Sequence, residues 1–208
     1  MKFSKEREEV AYFMRRLYER RLTTCSGGNI SMKVDENKIL ITASLSDKGR
    51  LNKKQVGIVT IDGQNMTKGI KLSMETNMHL NIYKIRKDIK AVIHSHPTVA
   101  SGFACSDKKI NCKITGESYF ILGTPAYAEY ALMGSDKLAD IVSNAALNTN
   151  VIIMKNHGII TLGNSLMESF NKMEIIEEAA KLTLITDLLK SKTELSDKNL
   201  RDIDSIVI

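Results

Sequence analysis

The amino-acid sequence predicts one α/β domain with much antiparallel strand pairing. Three observations predict it. Apolar residues switch repeatedly between helical and strand spacing, several strand candidates lie close together in pairs, and no stretch rich in Pro, Gly or Ser divides the 208 residues. Close pairs favour hairpins, whereas a doubly wound parallel sheet needs a long crossover between partners. The length suits one domain, taken as residues 1–190, with 191–208 as a C-terminal helix or tail.

The elements follow in order. Ser4 is a candidate N-cap for a helix in which Val10, Phe13, Met14 and Leu17 recur at helical spacing, ending near Leu22. Turn chemistry at Thr24 to Asn29 precedes two β-rich runs, Ile30 to Val34 and Ile39 to Thr42, which read as a hairpin across Asp35 to Lys38. Val56 to Ile61 is a strand closed by Asp62-Gly63, and Glu75 to Ile85 is a helix with Met78, Ile82 and Ile85 on one face. Ala91 to His94 reads as a short buried strand stopped by Pro97, with a small-residue helix through Ala100 and Ala104 after it. Tyr119 to Leu122 is a further strand candidate, because aromatic and branched residues fit a pleated surface. Ser135-Asp136 can cap a helix carrying Leu138, Ile141, Val142, Ala145 and Leu147. Val151 to Met154 and Ile159 to Leu162 form the arms of a second hairpin, and Ser165 to Leu189 is a long amphipathic helix. The stretch from Ser196 to Ile208 is expected to be a terminal helix or a tail.

Composition narrows the function classes. Hydrophobic residues at 43% and charged residues at 26% are ordinary for a globular protein and exclude disorder and fibrous repeats. The formal charge of +6 raises an anionic partner, but the lysines are interleaved with acids and aromatic residues are only 5%, so no nucleic-acid partner is expected. Cys25, Cys105 and Cys112 are odd in number and lack a C-x-x-C spacing, which argues against a disulfide framework or a thiolate zinc site. The charged start MKFSKEREEV and the absence of a run near 20 apolar residues predict no signal peptide, no membrane partner and a cytoplasmic location.

Chemistry concentrates in the histidines. His94 and His96 are two apart at the end of an apolar strand, so both rings point to one face and can reach one ion; an ordinary hydrogen-bonded pair fits the same spacing. His157 lies between an apolar strand and Gly158, at a strand-end loop where functional groups are commonly presented. Three neutral imidazoles with an open position suit a catalytic zinc or a similar divalent metal. Glu75 opens a helix, where the dipole favours a carboxylate, and by local sequence alone it reads as a solvent-facing helix start. His79, one helical turn on, reads as a packing or hydrogen-bonding partner. Gly27-Gly28-Asn29 offers unobstructed backbone N–H groups that suit an anion cradle or a plain tight turn. Ser26, Ser44 and Ser73 could add donors to such a cradle.

The runs Gly28-Asn29-Ile30-Ser31, Ile41-Thr42-Ala43-Ser44 and Ser73-Met74-Glu75, with His79, Tyr83 and Asp88, then His94-Ser95-His96 and Asn156-His157-Gly158, resemble the class II aldolase/adducin family in order and spacing. Within it the motifs are most similar to the fuculose-phosphate aldolases, over most of residues 5 to 190. The resemblance implies a three-layer α/β/α domain with a central, largely antiparallel sheet, assembled as a homotetramer with sites at subunit interfaces. It implies Zn2+ held by His94, His96 and His157, Glu75 as the acid/base carboxylate, and Gly28, Asn29, Ser44 and Ser73 at phosphate-binding positions. Tyr119 lies near the place of a catalytic tyrosine that reaches into a neighbouring subunit. The family's glycine after the Ser44 position is Leu45 here, and a second serine beside Ser73 is Met74, so an unphosphorylated sugar substrate is also open.

The activity implied is retro-aldol cleavage of a ketose phosphate or related sugar through a metal-stabilised enediolate, with Glu75 exchanging the proton. A ribulose-phosphate 4-epimerase would share that step, but there the family carries Asp at the Glu75 position and a further Asp where this chain has Ser118. A methylthioribulose-phosphate dehydratase keeps the histidines and uses a glutamate near the place of Glu117. The adducin head is a binding module on the same fold, and retention of three histidines with Glu75 argues against that reading.

Overall fold

The computed structural model describes residues 1–206, and residues 207 and 208 of the expected C-terminal element lie outside the described residues. Helix α1 (Ser4–Glu19) leads into the hairpin of β1 (Asn29–Lys33) and β2 (Lys38–Thr42), which pair antiparallel with Ser31 opposite Ile41. Two 3-10 turns, Lys48–Arg50 and Lys53–Gln55, carry the chain to β3 (Val56–Thr60) on the far side of β2. Then come α2 (Thr76–Ile85), β4 (Ala91–Ser95) and α3 (Thr98–Ala104). They are followed by α4 (Gly116–Leu122), β5 (Ala126–Ala128) and α5 (Asp136–Ala145). The hairpin β6 (Val151–Met154) and β7 (Gly158–Gly163), the long α6 (Leu166–Leu189) and α7 (Asp197–Asp204) complete the chain.

Among the described residues the strands form one seven-stranded sheet in the order β3-β2-β1-β4-β7-β6-β5, with antiparallel neighbours except for the parallel pair β5 and β6. Side chains alternate across it as the period of two requires. Ile93, Val151, Ile153 and Ile159 face a core shared with α1, α3 and α6, while Val92, Ile152, Met154 and Ile160 face one shared with α2 and α5. Helices therefore cover both faces, giving the α/β/α layering. No described helix is long and apolar enough to cross a membrane.

Several sequence expectations hold element by element. Ser135 caps α5 by accepting from the Leu138 N–H, and Ser165 caps α6 by accepting from the Glu168 N–H. Others need correction. The 119–122 segment is helical: Thr115 accepts from the Ser118 N–H at its start, Gly123 with φ 59° stops it, and it packs on α6 and α7. A cap and two packing partners override the strand preference of Tyr119, Phe120 and Ile121. Ser4 is the first helical residue and not a cap; its hydroxyl instead accepts from Lys53 Nζ at 3.1 Å, and the helix ends at Glu19, short of Leu22. The three-residue β5 was not anticipated, because a strand so short carries no readable alternation.

Candidate active site

Sheet register assembles the histidines. β4 runs between β1 and β7, with His94 opposite both Asn29 and Ile160, and Ser95 opposite Ile159. The turn from β6 to β7 therefore closes over the end of β4 and carries His157 with it. In that turn Asn156 takes φ 54°, a left-handed conformation that Asn tolerates better than most residues. The ring centroids of His94 and His96 lie 4.6 Å apart, those of His94 and His157 4.8 Å, and those of His96 and His157 5.7 Å. One ligand atom from each of the three falls within 4.8 Å of the others.

Two glycines make this approach possible. A Cβ at Gly28, where φ is +68°, would stand 2.7 Å from the His94 carbonyl oxygen, and one at Gly158 would stand 2.5 Å from His96 Cδ2. The glycines at 28 and 158 thus let the chain pack against the histidine pair, a role beyond the anion cradle expected of Gly28.

Glu75 is not a solvent-facing helix start. The N-cap residue of α2 is 8% exposed, with Oε1 3.1 Å from His157 Nε2 and Oε2 3.4 Å from His94 Nε2. Asn29 Nδ2 donates to Oε2 at 2.8 Å. That donation leaves Asn29 Oδ1 to accept from His79 Nε2–H at 2.6 Å, so His79 Nδ1 accepts from the Ser31 hydroxyl at 2.7 Å. Ser31 in turn accepts from the Tyr83 hydroxyl at 2.9 Å. A buried chain with one consistent donor direction thus runs from Tyr83 to Glu75. The reading of His79 as a hydrogen-bonding partner is what the structure shows, and the Asn29 side chain joins Glu75 to His79.

Burial pushes the Glu75 carboxyl up, but the His94 and His157 imidazoles and the Asn29 amide outweigh it and hold the group below the usual carboxylate range. Burial lowers His94, against the opposing pull of Glu75. Burial, with His94 and His157 adding to it, brings His96 down to about 3. Burial thus favours the neutral form of both rings, the form in which imidazole binds metals. His94 Nδ1 lies 3.0 Å from the Ile159 carbonyl and must carry the proton, which leaves the Nε2 lone pair facing Glu75 and the other rings.

Among the described residues, His94 Nε2, His157 Nδ1 and Glu75 Oε1 are buried with no hydrogen-bond partner. Such orphans ordinarily cost about 1–3 kcal/mol each, and imidazole nitrogens gathered beside a carboxylate are the donor set a divalent cation takes. The residues fit a metal.

The site opens into a cavity of about 430 Å³. Gly28, Asn29, Ser44, Ser73, Glu75, His96 and His157 all line it, and His94 lies buried next to them. Ser73 Oγ accepts from the Glu75 N–H at 3.2 Å, tying the hydroxyl to the turn that presents the carboxylate. Leu45 and Met74, where a small residue and a hydroxyl were expected, line the mouth and are 82% and 60% exposed. Leu45 keeps a left-handed φ of 53°, a conformation natural to glycine.

Tyr119 is not brought to this cavity within the chain. Its hydroxyl meets Asp204 of α7 at 3.1 Å, and its ring lines a separate depression. Glu117 is an exposed first-turn residue of the same helix α4 and does not line the cavity, and Ser118 is buried with its hydroxyl donated to the Cys112 carbonyl. Sequence reasoning missed Lys48, which lines the cavity and is 2% exposed. Its place in a Lys-Gly-Arg surface-like stretch carried no signal.

Comparison with known proteins agrees with this geometry. The Class II Aldolase and Adducin N-terminal domain family matches residues 8–184. The L-fuculose phosphate aldolase of Methanocaldococcus jannaschii is 37% identical over 185 residues, covering 89% of this chain and 99% of that protein. The 3-oxo-tetronate 4-phosphate decarboxylase of Haemophilus influenzae is 30% identical over 204 residues, covering 96% of each. Among solved structures, an L-fuculose 1-phosphate aldolase superposes with a TM-score of 0.89 at 27% identity, covering 98% of this chain and 96% of that one.

Proposed function

The chain belongs to the class II aldolase and adducin N-terminal domain family, and from that premise we propose a metal-dependent lyase that splits a ketose phosphate by retro-aldol cleavage. The observation that carries the reading is Glu75, buried and within 3.4 Å of both His94 and His157 at the floor of an open cavity. His94, His96 and His157 would hold the cation, with Zn2+ suiting three imidazoles. Bound there, the ion supplies Lewis-acid polarisation of a substrate carbonyl and its neighbouring hydroxyl.

The protein's own groups do the rest. The ionised Glu75 takes the proton of the hydroxyl on the carbon that becomes the aldehyde, the carbon–carbon bond breaks with its electron pair left on the carbonyl-bearing fragment, and Glu75 returns the proton to the carbon that kept the pair. Asn29 fixes the Glu75 rotamer through Oε2, while His79, Ser31 and Tyr83 fix Asn29. Burial keeps the carboxylate largely out of bulk water. Leu45, Met74 and Met133 line the mouth and are exposed, which supports a homotetramer whose neighbouring copy covers it. In such an assembly Tyr119 could act only in a neighbour's site.

A second reading has its own support in the decarboxylase relative. Loss of CO2 likewise leaves an electron pair on the carbon beside the carbonyl, and Glu75, after taking a proton from water, would pass it to that carbon. The adducin-like binding module is disfavoured by the intact orphaned donor set.

The test is metal analysis of the purified protein together with product analysis. One divalent metal per chain, and aldehyde release from a ketose 1-phosphate, are expected. CO2 release from a 3-oxo acid phosphate with no aldehyde selects the second reading, and a metal-free inactive protein after metal-replete expression refutes both. Glu75→Gln should keep the metal and slow turnover by about 10²-fold or more; full activity in that variant ends the acid/base assignment.

A further inference from the structure

We propose that Lys48 is the residue that selects a phosphorylated substrate, its ammonium serving as the charge partner of a phosphate monoester held in the cavity beside Ser44 and Ser73. This deepens the lyase reading and rests on it. The Lys48 N–H donates to the Cys25 carbonyl at 2.8 Å, and Asp47 Oδ1 caps the following 3-10 turn by accepting from the Gly49 N–H. The segment from 43 to 48 is thus clamped to the loop that leads into β1. The side chain runs back under that segment, and Nζ donates to the Ala43 carbonyl at 3.1 Å and the Ser46 hydroxyl at 3.0 Å.

Those two acceptors are neutral and satisfy two of the three N–H groups of an ammonium. Among the described residues no carboxylate lies within ion-pair reach of Nζ; the Asp47 carboxylate pairs with Arg50 at 3.9 Å instead. Lys48 is therefore a buried cation without a counter-charge. Burying such a charge costs several kcal/mol unless something compensates it. The residue nevertheless lines the same cavity as Ser44, Ser73, Gly28 and Glu75. Burial brings its ammonium down to about 8, partly opposed by Cys25, so the charged form still prevails at neutral pH.

The other lining groups are neutral. Ser26, Ser44 and Ser73 add hydroxyls, Gly27 and Gly28 expose backbone, and Leu45 and Met74 add no donor. Neutral donors of this kind bind a sugar hydroxyl as well as a phosphate oxygen, so they discriminate poorly. A fixed cation distinguishes the two, because its interaction with a dianion in a desolvated pocket is far stronger than with a hydroxyl. Glu75 supplies the only carboxylate lining the cavity among the described residues, and it stands with the histidines. Phosphate on Lys48 and reacting carbons beside Glu75 give the substrate one orientation.

The test uses metal-loaded wild type, Lys48→Met, Lys48→Arg and Lys48→Gln, with inorganic phosphate as the binding probe in calorimetry. Lys48→Met should weaken phosphate binding about tenfold or more with unchanged metal content, and Lys48→Arg should restore most of it. Turnover of a phosphorylated ketose should show the loss mainly in KM, while turnover of its unphosphorylated counterpart stays within about twofold. Lys48→Gln, which keeps a donor for the Ala43 carbonyl without charge, must lose phosphate as the Met variant does, and it replaces that variant should the latter fail to fold. Phosphate binding equal to wild type in a folded, uncharged variant overturns the assignment, as does an equal loss for phosphorylated and neutral ketoses. If wild type turns over no ketose yet loses phosphate on substitution, the lyase reading fails and the Lys48 site stands.

Discussion

Gly158→Ala reports on how closely the hairpin turn must approach the histidine pair. The added Cβ would sit 2.5 Å from His96 Cδ2, 2.7 Å from the Ser95 carbonyl oxygen and 3.2 Å from His94 Cε1. Ordinary contact begins at 3.4 Å, so the His96 ring or the start of β7 must give way by about 0.9 Å. The Ser95 carbonyl is sheet backbone and moves little, so the start of β7 must shift away from it and carry the His157 turn with it. A metal site tolerates about 0.2 Å in ligand distance, so a displacement several times larger breaks the set. The expected loss is about 10–100-fold or more in metal affinity, with about 1–3 kcal/mol of overpacking strain on the metal-free fold. Calorimetric titration of Zn2+ into metal-free wild type and variant, with denaturant unfolding alongside, measures both. Zinc affinity within about twofold of wild type in a folded Gly158→Ala protein would refute the reasoning, since the three rings would then not need the geometry described.

Gly102→Ala supplies the contrast, because nothing lies within 4 Å of its Cβ in helix α3; it should stabilise the protein by about 0.5–1 kcal/mol in urea unfolding and leave metal binding alone. Asn29→Ala strands Glu75 Oε2 and His79 Nε2, and should cost about 1–3 kcal/mol in the same assay; a smaller cost would show that the buried chain is not bearing on stability. His79, lowered by burial from 6.5 to about 3, takes its proton in the unfolded chain before it does in the folded one. Its contribution is therefore complete above pH 6.5 and is lost as the pH falls from there toward 3, with a slope of about 1.4 kcal/mol per pH unit. Unfolding free energies measured across that range should show a shallower slope in His79→Gln than in wild type, and parallel curves would remove His79 as the cause.

The sequence by itself determined what depends on neighbours along the chain. The apolar spacing of Val10 to Leu17 and of Met78 to Ile85, the caps at Ser135 and Ser165, and the hairpins at 29–42 and 151–163 are local patterns, and each appears in the fold. The period of two likewise anticipates that His94 and His96, the latter one residue past β4, come together, and their ring centroids lie 4.6 Å apart. Where local preference and packing disagree, as at 116–122, packing decides, and the aromatic run that reads as a strand becomes α4. Site residues show the same division. That His157 belongs with the pair follows from β7 lying against β4, a long-range register with no trace in either segment alone. Glu75 reads locally as a solvated helix start and becomes a buried carboxylate only because Asn29 and two imidazoles arrive from other strands. Lys48 is the extreme case, a lysine whose burial depends entirely on the loops folded over it. Periodicity reports which face a side chain takes, whereas burial, counter-charge and partner are properties of what the rest of the chain brings to that face, and the tertiary structure alone decides them.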